Sequence, residues 1–219
     1  MPSAERPEPP EQVALSLPAL TDTPAREVEE DERYDGLRFT EADFSQKDLA
    51  RTTFADCAFE RVTLNETDLR GAHFVESQLS QVEAPVLTAP RSSWRRVVLE
   101  RSRLGAMESY ESSWRSLLLR DCKLGYLNAR SSVWTDVTFT GCSLDELDVS
   151  GAKLTRVAFA DCRIGTLHTA NATLVDVDLR GARLEVIDGL AGLAGAWVSE
   201  QQLTALAPLL ADHLKIRVG

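Results

Sequence analysis

The chain has 219 residues, 43% of them hydrophobic and 26% charged, with a formal net charge of −10. That balance supports one or two folded units and excludes a collagen-like chain or one disordered over most of its length. The acidity argues against a general nucleic-acid coat, and 4 Cys in a chain of this size do not make a disulfide scaffold.

Residues 1–36 read as a disordered, acidic, Pro-rich tail, with 10 acidic side chains against 3 basic. The opening Met1-Pro2-Ser3-Ala4-Glu5 lacks the basic region of a signal peptide. The apolar stretch 13–20 is short and contains Pro18, so it fits no membrane span. The expectation is a cytoplasmic protein with reduced thiols and no membrane partner.

From Leu37 neither the helical nor the strand period describes the sequence, but a period of five does. Of the 30 positions taken every fifth residue from Phe39 to Leu184, 25 are Phe, Leu, Trp, Ile or Val. All 7 Phe, together with Trp94, Trp114 and Trp134, fall in this register. A second register, two residues earlier, holds small residues and all 4 Cys: Cys57, Cys122, Cys142 and Cys162. Lys47 is the single charged residue in the two registers, whereas the remaining positions of 37–186 hold 39 charges. Two residues in five therefore point inward.

That pattern fits a solenoid in which each five-residue piece forms one side of a coil. Four sides close a square, and a period of 20 appears accordingly: Trp94, Trp114, Trp134, Leu154 and Leu174 form one such series. On one side large and small residues change places: Leu87, Met107, Leu127, Leu147 and Leu167 precede Ala89, Ser109, Ala129, Val149 and Thr169.

The units Ala42-Asp43-Phe44, Thr67-Asp68-Leu69, Ala72-His73-Phe74 and Ala152-Lys153-Leu154 resemble the repeat of the pentapeptide-repeat family. In that repeat a small residue precedes Asp or Asn, then Leu or Phe, then two free positions. The resemblance implies an all-β solenoid, a right-handed quadrilateral β-helix, over residues 37–189. Roughly seven and a half coils at the ~4.8 Å spacing of stacked strands make a rod about 36 Å long.

Residues 190–219 read as a helical cap or dimerisation segment. Ser199 and Gln202 form a capping-box pattern, and Leu203, Leu206, Leu210 and Leu214 follow at helical spacing. Pro208 predicts two short helices or one kinked helix, Trp197 is placed to plug the last coil, and 214–218 alternates like a strand. The segment resembles the ends of family members that dimerise end to end. A cap within one monomer is the other reading.

No catalytic group, metal site or cofactor is assigned. His73, His168 and His213 are far apart in register, and His73 and His168 read as solvated surface side chains. Nucleophile-elbow, phosphate-loop and zincin patterns are all missing. Stacked Cys122, Cys142 and Cys162 do not converge as metal ligands must, and read as core thiols. Lys47, close to the rod end, is expected to reach water. Arg residues between 91 and 120 are expected to pair across rungs, Glu100 with Arg120 and Arg101 with Asp121.

One outward column carries the candidate acidic interaction residues Asp48, Asp68, Glu108, Asp148 and Asp188, interrupted by Thr88, Asn128 and His168. The resemblance implies a DNA-mimicking reading, because the family includes quinolone-resistance and self-immunity proteins whose acidic dimeric rods bind topoisomerases such as DNA gyrase. Charge placement opposes it, since 37–186 hold 19 basic and 21 acidic residues and are almost neutral. The preferred reading is a non-catalytic scaffold that binds a protein partner through a rigid surface, without direct nucleic-acid binding.

Overall fold

The computed structural model describes residues 6–217. The chain winds into a parallel-strand β-solenoid of about nine turns with a single C-terminal helix. Successive coils pair in parallel with a register of 20, as in Trp94 with Trp114 and Trp114 with Trp134. Both inward registers are buried except toward the rod ends: all 7 Phe and the Trp94, Trp114 and Trp134 rings are at most 3% exposed. Each such large side chain contributes about 1.5–3 kcal/mol. The rings stack as Phe74–Trp94 and Trp114–Trp134, with centroids 4.2 and 4.5 Å apart.

The small inward residue has a second task. Each coil corner turns a carbonyl into the interior, and a buried carbonyl needs a donor. The side chain 23 residues later supplies it. Thr67 Oγ1 donates to Phe44 O at 2.9 Å, Ser132 Oγ to Ser109 O at 2.8 Å, and Cys142 Sγ to Leu119 O at 3.5 Å. This explains why Ser, Thr and Cys, and not Ala alone, fill the register.

Corners are made by a left-handed residue at every fifth position. Asp56, Arg61, Arg91, Arg101 and Asp121 all have φ between 50° and 57°, a conformation that costs non-glycine residues about 1–2 kcal/mol each. One corner changes along the rod. In the early coils Gln46 and Glu66 are left-handed there, with φ 60° and 56°. From the next coil the strands Glu83–Thr88, Arg103–Glu108, Lys123–Asn128 and Ser143–Asp148 run straight through the equivalent position. The large-for-small exchange begins at that rung: Thr67 then Leu69 becomes Leu87 then Ala89, and all four are buried. Without the sharp corner the first inward position reaches the coil centre, so it takes the large side chain.

The straight corner also brings backbones together. A Cβ on Gly105 would lie 2.3 Å from Pro85 O, and one on Gly125 would lie 2.4 Å from Gly105 O.

Both ends are covered. Part of the segment expected as a tail joins the coil: Thr21–Asp22 pairs with Leu37 and Arg38, and Arg33–Asp35 pairs with Thr53 to Ala55. Tyr34 stacks on Phe54 at 5.7 Å. Val28 is buried over the open coil. Lys47, half-buried, does not simply extend into solvent: its Nζ donates to Ala25 O and Val28 O, both at 2.6 Å. These carbonyls flank a 3-10 turn over Ala25–Glu27 that the composition did not reveal.

At the other end Ala196–Trp197 adds a strand beside Val177 and Asp178, leaving Trp197 half-buried. The helix runs unbroken over Glu200–His213 with Pro208 inside it, in place of two short helices. The proline deprives only the Thr204 carbonyl of its helical partner. Ser199 Oγ accepts from Gln202 N at 3.2 Å, and Gln202 Oε1 accepts from Ser199 N at 2.7 Å, completing the capping box. Gln202 Nε2 then donates to Leu179 O and Ala182 O, at 2.8 and 2.7 Å, tying the helix to the last coil.

The expected strand after the helix does not form within the described residues. Lys215 is left-handed, with φ 58°, and Ile216 N donates to Ala211 O at 2.8 Å, which makes a helix-terminating turn in its place. Val218 lies outside the described residues, as do Met1 to Glu5, on which the leader reading rested.

The close corner predicts that Gly125→Val lowers stability by about 1–3 kcal/mol through overpacking. Ala106→Val, at a half-exposed site where the previous rung already carries Val86, is expected to be neutral. Urea unfolding followed by circular dichroism separates the two; equal midpoints would contradict the corner argument.

Candidate interaction surface

Outward residues stack in columns, because each meets the residue 20 positions away. The acidic column is one continuous ladder: Asp48–Asp68–Thr88–Glu108–Asn128–Asp148–His168–Asp188. The structure therefore brings all five candidate carboxylates onto one line of the rod.

Their side chains are engaged locally. Asp48 and Asp68 each accept the amide two residues on, from Ala50 at 3.0 Å and Arg70 at 2.9 Å. Asp43, Asp148 and Asp178 do the same with Ser45, Ser150 and Arg180. The Asp that precedes the large inward residue thus sets the turn. Glu108 accepts from Asn128 Nδ2 at 2.6 Å. Asp148, 1% exposed, also accepts from Arg130 Nε at 2.6 Å. His168 lies between Glu146 and Asp188, at 3.0 and 3.1 Å, so it is a bridging group and not a freely solvated one.

Burial alone would raise the Asp148 carboxyl, but the bonds from Ser150 and Arg130 outweigh it and hold the group below the usual carboxylate range.

The basic cluster is also paired for the most part. Arg91 Nε meets Glu111 at 2.7 Å and Arg120 meets Glu100 at 3.7 Å. Arg101 pairs with its neighbour Glu100 and not with Asp121 as expected. Arg95 and Arg115 stand in direct register and make no ion pair among the described residues.

The thiols are core groups. Cys122, Cys142 and Cys162 are buried in one column, and burial pushes the Cys57 thiol up to about 11. Among the described residues no three His, Cys, Asp or Glu side chains are grouped to hold a metal ion.

Of the candidate cap residues, Leu206 is buried against the last coil and Leu210 half-buried. Leu203 and Leu214 are 52% and 66% exposed. At spacings of three, four and four, Leu203, Leu206, Leu210 and Leu214 share one stripe, whose middle packs on the last coil while its two ends stand exposed.

A depressed carboxyl stabilises the fold above its unfolded value, near pH 4, and loses that contribution as pH falls through the folded one. Asp148→Asn is therefore expected to cost about 1–3 kcal/mol at pH 7, with the gap to the unmodified protein closing below pH ~4. Urea unfolding across pH 3–7 checks this; a gap independent of pH would contradict it.

No curated protein sequence matches the chain. The family model described as pentapeptide repeats (8 copies) matches residues 35–71 and 48–83. Among solved structures, a trypsin-treated form of QnrB1, described as a plasmid-mediated fluoroquinolone resistance protein, is 21% identical, with 87% of this chain and 91% of that chain covered and a TM-score of 0.29. HetL, a pentapeptide repeat protein involved in heterocyst differentiation regulation from the cyanobacterium Nostoc sp. strain PCC 7120, is 17% identical, with 78% and 91% covered and a TM-score of 0.36. Residues 35–83 carry the family's repeat, and the coil continues from them with the same 20-residue register to Leu184: the chain has the pentapeptide-repeat fold.

Proposed function

We propose that this protein is a non-catalytic scaffold that works by protein–protein contact along a rigid rod. The observation that carries the reading is the pairing of outward groups with their own rung neighbours. Charges engaged at Asp148–Arg130, Asp136–Arg156, Arg91–Glu111 and Arg163–Glu185 give a surface of mixed sign on an inflexible support. Such a surface discriminates partners by pattern. A DNA mimic directed at gyrase would need an open line of carboxylates. Here Glu108, Asp148 and Asp188 each already face Asn128, Arg130 or His168, and the rod is nearly neutral.

The C-terminal helix supports a second element of the same reading. Leu203 and Leu214, at the two ends of the apolar stripe, are left exposed by this chain's own rod. The occupant that fits a stripe at a rod end is the same stripe of a second copy, giving a two-fold end-to-end dimer.

Two measurements test these readings. Titrating the protein into a gyrase supercoiling assay is expected to leave supercoiling unchanged. Stoichiometric inhibition that weakens with salt and disappears in the Asp48→Lys, Asp68→Lys, Glu108→Lys variant would establish the DNA-mimicking alternative. Sedimentation is expected to give a dimer that Leu203→Glu with Leu214→Glu converts to a folded monomer; an unchanged mass would exclude the helix stripe as the contact.

A further inference from the structure

Left-handed corner residues point away from the rod and are exposed at Arg91, Arg101, Glu111, Asp121, Ser131 and Asp161. One corner departs from this rule. There Ser116 and Asp136 are only 9% and 4% exposed, and the adjoining outward Val98 and Glu100 are buried as well. The cover is this chain's own segment 7–20, which crosses the rungs in extended form.

Glu11 N donates to Asp136 Oδ1 at 3.1 Å, and Arg96 Nη2 donates to Ala14 O at 3.3 Å. Asp136 is held from beneath by the Arg156 fork at 2.6 and 2.8 Å, so its carboxylate is fixed and presented to the strap. Glu8 lies near enough to Arg156 to add to its charge stabilisation. Val13, Leu15 and Leu17 are half-buried, whereas Gln12, Ala14, Ser16 and Pro18 are exposed. That is the alternation of an extended segment with one face on a surface.

The strap is held lightly. Residues 7–20 form no ladder with the rod, and two hydrogen bonds from side chains and backbone are its direct polar ties to the rod face among the described residues. A cavity of about 270 Å³, lined by Gln12, Val13, Leu118, Arg120, Thr138 and Thr140, remains beside it. A fixed carboxylate that takes a backbone N–H, an arginine that takes a backbone carbonyl, and an aliphatic floor at Val98 and Leu118 together recognise main chain with alternate apolar side chains.

We infer that the groove along Arg96, Ser116, Asp136 and Leu118 is a docking site for an extended segment of a partner protein with aliphatic side chains at alternate positions, and that residues 7–20 occupy it as an internal competitor. The inference rests on the scaffold reading only in taking the partner to be a protein; the groove is tested without that partner.

The probe is a fluorescein-labelled synthetic peptide of residues 7–20, followed by anisotropy on full-length protein. The full chain carrying Val13→Asp, Leu15→Asp and Leu17→Asp should bind the peptide at least tenfold more tightly than the unmodified chain, since its own strap no longer competes. Adding Leu118→Asp should remove that binding. Equal binding to the unmodified and triple-variant chains, or none to the triple variant, would overturn the proposal. In the unmodified chain, excess unlabelled peptide should accelerate hydrogen exchange within 7–20, and unchanged exchange would overturn it independently of any variant. Neither result bears on the supercoiling or sedimentation outcomes, so failure here and failure of the scaffold reading are distinguishable.

Discussion

The structure depends on closing a coil in 20 residues while every backbone group stays paired with the rung above and below. Once that closure is fixed, each residue's chief neighbours are the residues 20 before and 20 after it. Inward, this stacks Trp114 on Trp134 and Phe139 on Phe159. It also turns corner carbonyls toward the interior, which is why the small register uses Thr67, Ser112, Ser132 and Cys142 as donors to the preceding coil. The cysteines belong to this set: their thiols replace hydroxyls as weak donors to buried carbonyls.

The same closure organises the surface. A charge placed outward meets a rung neighbour at strand spacing, where like signs cost and opposite signs gain. The chain meets this with Arg51 beside Asp31, Arg61 beside Glu41, Arg91 beside Glu111 and Arg156 beside Asp136, each 20 residues apart. The acidic column is therefore chiefly a row of turn-setting Asp side chains with local partners. What the rod offers a partner is a rigid pattern of mixed charge, interrupted at one corner by an aliphatic floor under residues 7–20.

The ends follow a different logic, because a solenoid terminates with free backbone and open core. At one end Val28 fills the coil and Lys47 binds the carbonyls of Ala25 and Val28. At the other, Gln202 binds the carbonyls of Leu179 and Ala182 while Leu206 covers the core. In each case a polar side chain binds backbone carbonyls at the rod end and ties the cover to the coil. The inward Lys is tolerated because two carbonyls converge on its ammonium.

The sequence by itself determined the solenoid, its two inward registers, its 20-residue rung and the alignment of Asp48 through Asp188, because side-chain periodicity is a direct record of which way each residue faces. The exchange of large and small residues after Leu69 was legible as well, but its cause was not: a corner losing its left-handed residue is a backbone event with no side-chain signature beyond Gly105, Gly125 and Gly165. Tyr34 sits in the same register as Phe39, and extending the period one unit earlier would have found it; acidic composition hid it. Only the tertiary structure decided where Lys47 and Arg101 turn, that Pro208 stays within one helix, and that residues 7–20 lie along one corner. These depend on what a side chain meets across space, and a carbonyl 22 residues back or a carboxylate 125 residues on leaves no period in the chain.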